Sequence, residues 1–322
     1  MINRKIGKKT KNEFVIGVDG GGTKTACALA DLDGKIIKRA VSGGSSVLRY
    51  GVKIAAKNIA NGIYNVIKAK RSMEIASTVI GLPDIEEEFK DAPPAIIAEL
   101  KKNKKIAKIF KGKVNIVSDQ LVAFRAGANG RDGVVAIAGT GTATHGWNGG
   151  NEALVNNQGW VDTGGSEWVG KRVMDAIARS LDGRGEKTAL TDKIFKKYKF
   201  KDINKLLRFV FQDSRPELAK LSVLCDEAAT VGDKVAREIL VTAGKEIALS
   251  VCVVAKRLGF FEQVPLVLAG GVYKSRWVAD TAMNEIERYY PKKFDFVVVG
   301  DPVIGAVKLA LAGAKLKLRN AK

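Results

Sequence analysis

Displaced by 119 residues, the chain meets itself: Gly20, Gly22, Thr23 and Thr25 fall on Gly139, Gly141, Thr142 and Thr144. Each set follows an apolar stretch of strand character, Phe14–Val18 and Val134–Ala138, and each runs into a second strand. Two copies of strand, glycine turn and strand predict two domains of like architecture. A repeated hairpin of this kind belongs at the same place in two related sheets.

The rest of the pattern fits that frame. Thr25–Ala30 alternates as a second strand, Asp31–Leu32–Asp33–Gly34 turns the chain, and Lys35–Ala40 reads as a third. Val52, Ala55, Ile59, Ile63, Val66 and Ile67 recur at helical spacing. Strands Ser77–Ile80 and Val114–Val117 follow, separated by a helix that Pro93 and Pro94 open. In the second half, Gly159–Gly165 leads into an apolar helical stretch, Trp168–Leu181, and one helical block runs from about Pro216 to Leu258. Strands Pro265–Ala269 and Phe294–Val299 and a closing helix, Ile304–Leu316, complete an α/β chain.

Composition excludes several chemistries. Of 322 residues only Cys27, Cys225 and Cys252 are cysteines and only His145 is a histidine, with no CxxC. Disulfide scaffolding, structural zinc and Cys–His catalysis are not expected from such a set. No run of about 18 apolar residues occurs, and residues 1–12 lack the apolar core of a signal peptide. They read as a disordered basic tail on a cytoplasmic protein with no membrane partner. The net charge is +20, with lysine-rich stretches at Arg4–Lys11, Lys101–Lys113, Lys193–Lys201 and Lys315–Lys322. Apolar residues at helical spacing interleave them, so they read as solvated faces. No zinc finger, RNP signature or arginine-rich arm accompanies them, and nucleic acid is not the expected partner.

The glycine loops satisfy neither the Walker A pattern nor a GxGxxG at the mouth of a helix, because a strand follows each. A Gly/Thr hairpin still converges backbone N–H groups on an anion, and two of them from two domains can hold one polyphosphate. Asp19, directly before the first glycines, suits Mg²⁺ held largely through water. Asp119 ends one strand and opens the stretch Gln120–Gly127, so it reads either as a helix N-cap or as a carboxylate that accepts the proton of an attacking hydroxyl.

Five segments occur in a telling order: GVDGGGTKT (Gly17–Thr25), SDQLVAFRAG (Ser118–Gly127), VVAIAGTGTATHGW (Val134–Trp147), LAGGVYKS (Leu268–Ser275) and DPVIGAVKLAL (Asp301–Leu311). Together they resemble the BadF/BadG/BcrA/BcrD-type ATPases, which include N-acetylglucosamine kinases and archaeal hexokinases within the actin, hexokinase and heat-shock chaperone superfamily. The resemblance covers residues 13 to 312. It implies two ribonuclease H-like domains of the actin-like ATPase fold with a cleft between them, residues 13–125 with 302–322 forming the first and 126–301 the second.

Carried over by position, the resemblance assigns Gly20, Gly21, Gly22, Thr23, Lys24 and Thr25 to one ATP phosphate loop. Gly139, Thr140, Gly141 and Thr142 form the other, with Gly270 and Gly271 under the adenosine. Asp19 orients Mg²⁺ through water, and Asp119 is the general base of an ATP-dependent sugar kinase. Family members place an Asn near the first long helix, where it touches the sugar. Here that loop reads Gly43–Gly44–Ser45–Ser46, so Ser45 and Ser46 take its place. The family's longer acidic segment is shortened to GWVDTGGSEWVG (Gly159–Gly170), leaving Asp162 and Glu167 as substrate carboxylates.

The expected acceptor is a small sugar: N-acetylglucosamine, glucose or glucosamine. A homodimer is one state open to the chain. A second reading is an ATPase activator of a 2-hydroxyacyl-CoA dehydratase or benzoyl-CoA reductase. Those proteins share an iron–sulfur cluster on closely placed cysteines, a placement absent here, so no cluster is expected. A third is a nucleotide-binding regulator of DNA, but no helix-turn-helix precedes the kinase-like region.

Overall fold

The computed structural model describes residues 13–68, 73–83, 85, 89–110, 113–130, 132–156, 162–211 and 215–320. The basic tail expected at residues 1–12 and part of the Gly159–Gly165 segment lie outside them.

The chain opens as an antiparallel meander, β1 (Glu13–Gly20), β2 (Lys24–Asp31) and β3 (Ile36–Gly43), then enters α1 (Val47–Ile67). It continues through β4 (Glu74–Leu82), α2 (Ala92–Lys102), α3 (Lys104–Ile109), β5 (Lys113–Ser118) and α4 (Asp119–Gly127). The pattern then starts again with β6 (Gly133–Ala138), β7 (Thr142–Asn148), β8 (Asn151–Asn156) and α5 (Ser166–Asp182). Helices α6 (Ala189–Tyr198), α7 (Ile203–Phe211), α8 (Arg215–Thr230) and α9 (Lys234–Leu258) follow. Then come β9 (Val264–Ala269), α10 (Arg276–Tyr289), β10 (Phe294–Val299) and α11 (Val303–Asn320).

Two compact units result: one reaches Ala126 and resumes at Pro302, the other is Gly127–Asp301. The strand order is β3-β2-β1-β4-β5 in the first sheet and β10-β9-β6-β7-β8 in the second. In each, the first strand pairs antiparallel with the second and parallel with the fourth. This is one topology written twice, the ribonuclease H-like arrangement.

Local chemistry explains the elements. β1 is buried on both faces, as a central strand requires: Phe14, Ile16 and Val18 turn to α1, α2 and α3, and Val15 turns to α4 and α11. Gly17 admits α11, since a Cβ there would stand 2.6 Å from the Val307 nitrogen. Asn103 accepts from the N–H groups of Lys105 and Ile106, capping α3 and separating it from α2. The helical block expected over Pro216–Leu258 is two helices. Gly232 (φ 102°) breaks it, and the Asp233 carboxylate accepts from Ala236 N–H to start α9.

Candidate phosphate loops and catalytic carboxylate

Each unit closes its glycine hairpin against the start of its first long helix. In the first unit, Gly21 N–H donates to Lys24 O at 2.9 Å, and Ser45 N–H donates to Gly21 O at 2.9 Å. The Tyr50 hydroxyl donates to Gly22 O at 2.9 Å. In the second unit, Gly139 N–H donates to Gly141 O at 3.0 Å. Ser166 N–H donates to Gly139 O at 2.9 Å, and Glu167 N–H to Thr140 O at 3.1 Å. A trans peptide points its C=O and N–H in opposite directions. With these carbonyls held by the helix starts, the N–H groups of Gly22 and Thr23, and of Thr140 and Gly141, aim away from the protein body. Outward donors of that kind are what an anion-binding loop requires.

The threonines work behind the loops. Thr25 is fully buried; its hydroxyl lies 2.7 Å from Gly43 O and 2.9 Å from Ser45 Oγ. Thr142 Oγ1 donates to Thr163 O at 3.0 Å. Each ties its loop to the segment leading into the long helix. By ladder position Thr25, facing Gly20, corresponds to Thr142, facing Ala138. The equivalence of Thr25 with Thr144 read from the repeat therefore shifts, because the second hairpin turns in three residues and the first in four.

Several residues expected at the ligand also make contacts within the protein. Ser45 is buried beside Gly20, where a Cβ would meet its hydroxyl at 2.3 Å. Ser46 caps α1, accepting from Arg49 N–H at 3.2 Å. Asp162 is buried, and its carboxylate accepts from Thr142 N–H at 3.2 Å. It braces the second loop from behind. Glu167 is buried and pairs with Lys171 at 3.0 Å. Gly270 (φ 118°) has no room for a side chain: a Cβ would stand 2.2 Å from Ala138 O. Gly270 thus abuts the second loop, and Gly271 opens the short turn that leads to α10.

Asp19 and Asp119 stand on one edge of the first sheet, at the carboxyl ends of β1 and β5 with β4 between. Two strand spacings, about 10 Å, separate their strands. Asp19 pairs in register with Gly81, and a Cβ on Gly81 would stand 2.6 Å from Val122 Cγ2, so Gly81 lets α4 start close against the sheet. The cap of α4 is Ser118, whose hydroxyl accepts from Leu121 N–H at 3.2 Å. Asp119 follows it as the first residue of the helix.

The sequence reading missed Tyr50, Gly165 and Ser118. A Cβ on Gly165 would stand 2.7 Å from Thr140 O, so only glycine lets α5 back the loop. The cysteines lie apart: Cys27 buried in β2, Cys225 buried in α8 and Cys252 half-buried in α9. Among the described residues no three His, Cys, Asp or Glu side chains gather to hold a metal, and no helix is long and apolar enough to cross a membrane.

A model of the BadF/BadG/BcrA/BcrD ATPase family matches residues 16–310. The chain is 29% identical over 309 residues to an N-acetylmuramic acid/N-acetylglucosamine kinase of Clostridium acetobutylicum, covering 92% of this chain and 98% of that one. It is 28% identical over 326 residues to an N-acetyl-D-glucosamine kinase of Dictyostelium discoideum, covering 94% and 99%. The crystal structure of a candidate N-acetylglucosamine kinase from Chromobacterium violaceum shares the fold, with a TM-score of 0.70 at 21% identity over 92% of this chain and 98% of that one.

Proposed function

Since the chain belongs to the BadF/BadG/BcrA/BcrD ATPase family, we propose that it is an ATP-dependent sugar kinase acting on a hexose or amino-hexose hydroxyl. The reading rests on full-length similarity to amino-sugar kinases, together with a carboxylate, Asp119, at the end of β5 and the first position of α4. N-acetylglucosamine is the first candidate acceptor. N-acetylmuramic acid, glucosamine and glucose follow.

The roles divide by unit. In the first, Gly22 and Thr23 offer N–H groups to phosphate oxygens, and Lys24, exposed on the same turn, adds a positive charge. Thr25, Ser45 and Tyr50 hold that turn rigid. In the second, Thr140 and Gly141 offer N–H groups, with Asp162, Thr142 and the start of α5 as their support. Gly270 and Gly271 supply a surface without side chains for the adenosine. Preorganised donors of this kind need no rearrangement as charge develops on the transferred group.

The residues also fit Mg²⁺. Asp19 is a carboxylate at the end of β1, directly before the first loop, which suits an ion that keeps most of its waters. Bound there, Mg²⁺ supplies neutralisation of phosphate charge. Asp119 accepts the proton of the acceptor hydroxyl as that oxygen bonds the terminal phosphorus. The bond from that phosphorus to the β-phosphate oxygen breaks, and ADP departs.

The test is ADP release from Mg·ATP across N-acetylglucosamine, N-acetylmuramic acid, glucosamine, glucose, mannose and a blank, with Asp119→Asn beside the natural chain. Stimulation by one or two sugars, lost in the variant, supports the proposal. ADP release indifferent to sugar replaces it with the ATPase-activator reading.

A further inference from the structure

The net charge of +20 is not shared between the units. The first holds 29 Lys and Arg against 12 Asp and Glu, net +17; the second holds 25 against 22, net +3. Without residues 1–12 the first still carries +12.

Within the first unit the excess is concentrated further. No Asp or Glu occurs between Asp33 and Glu74, a stretch with nine Lys and Arg. None occurs between Glu99 and Asp119, a stretch with seven Lys. These stretches supply β3, α1, the end of α2, and α3, and they meet: the Lys105 ammonium sits 4.9 Å from the centre of the Tyr64 ring. Lys53, Lys57, Tyr64 and Lys68 follow one another within about 60° of arc and roughly 22 Å of helix. All four are exposed, as are Lys101, Lys104, Lys105 and Lys108.

The duplicated architecture supplies an internal control. Helix α5 takes in the second unit the place of α1 in the first, following the meander and backing the glycine loop. It carries Glu167 and Asp175, paired one turn away with Lys171 and Arg179. Helix α1 carries no acidic residue at all. Like charges one turn apart, such as Lys53 and Lys57, repel. A surface that only needed solubility would relieve that repulsion as α5 does.

The opposite face of α1 is fully buried at Ala55, Ile59, Ile63 and Val66. The broad apolar face of α1 is thus spent on the core, and the exposed Leu48 and Ile54 do not make the wide apolar stripe that a lipid interface takes. An extended polyanion that meets ammonium groups from outside suits it better. We propose that the α1–α3 face of the first unit binds nucleic acid through the phosphate backbone, without reading base sequence.

The test is fluorescence anisotropy of the full chain with labelled single-stranded RNA and duplex DNA of about 30 nucleotides or base pairs, over roughly 50 to 300 mM salt. Binding should weaken linearly in log–log form as salt rises. The variant K53Q/K57Q/K104Q/K108Q should bind at least about tenfold more weakly at low salt, with a slope reduced by two to four. A control of equal charge on the second unit, K187Q/K196Q/K197Q/K201Q, should bind as the natural chain does. Sugar-dependent ADP release, if the kinase reading holds, should be equal in all three proteins. Absence of binding at low salt overturns the proposal, as does an equal loss in the control variant. Retention on phosphatidylserine vesicles without nucleic-acid binding overturns it in favour of a lipid surface.

Discussion

The backbone N–H of Ser166 donates to the carbonyl oxygen of Gly139 at 2.9 Å, and Ser45 N–H makes the same bond to Gly21 at the same length. In both units the helix that follows the meander thus fixes which way a glycine peptide faces. Helix N-termini usually meet anions with their own N–H groups. Here the first of those groups in α5, and in the first unit the N–H of Ser45 just before the cap of α1, are used on the loop instead.

This places Gly165 among the positioning residues. A methyl group there would stand 2.7 Å from Thr140 O and 2.9 Å from the carbonyl carbon of Gly141, both backbone atoms that cannot swing aside. Gly165→Ala is expected to raise the KM for ATP at least about tenfold, roughly the worth of one displaced hydrogen bond. The KM for sugar should move much less. Steady-state kinetics with each substrate varied separately checks this; equal rises in both constants would speak for general damage instead.

Thr142 supplies a graded test of the same loop. Its hydroxyl donates to Thr163 O, so Thr142→Val leaves that carbonyl without its donor, at a cost of about 1–3 kcal/mol. Thr142→Ser keeps the donor. The valine variant should melt several degrees lower and bind ATP more weakly, while the serine variant restores both. Calorimetric melting and ATP titration read the two effects together. Failure of serine to restore would mean that the methyl group, and not the hydroxyl, does the work.

The cysteines give a prediction in pH. Burial, aided by the nearby Asp19 charge, pushes the Cys27 thiol up to about 12, and burial also pushes the Cys225 thiol up. Above about pH 9 an unfolded Cys27 has lost its proton, while the native thiol keeps it until about pH 12. The unfolded state then binds fewer protons, so stability falls as pH rises across that window. Cys27→Ala should flatten the decline between pH 9 and pH 11 in denaturant titrations. At pH 8, iodoacetamide followed by mass spectrometry should label half-buried Cys252 first, and Cys27 and Cys225 only as the protein unfolds.

Much of this architecture was legible in the residues. Alternation and glycine located the paired hairpins, and the strand–helix order located both sheets. Strand β8 was not legible: in Asn151–Asn156 only Ala153 is buried, as suits an edge strand with one partner. The division of the second helical block hangs on Gly232 and the cap Asp233, weak marks in a long apolar pattern. In the loops, residue types suggested anion binding but could not say which way each polar group faces. Thr25, Ser45, Thr142 and Asp162 are the polar residues such a loop needs, yet all four spend their polar groups inward. Pattern along the chain cannot distinguish a donor that faces the ligand from one that holds the loop, because the difference depends on residues about twenty positions away.

Ser118 and Asp119, neighbours at the end of β5, separate stability from chemistry. Ser118 caps α4 through Leu121 N–H, so Ser118→Ala should cost about 1 kcal/mol of stability and leave turnover nearly intact. Asp119 is the next residue, at the first position of the helix. Asp119→Asn keeps the shape, removes the ability to accept a proton, and should lower kcat by a factor of about 10²–10⁴ with ATP affinity retained. Melting curves, single-turnover rates and ATP titrations on both variants check the pair. If Asp119→Asn melts early and turns over normally, Asp119 is a structural residue and the base must be sought elsewhere.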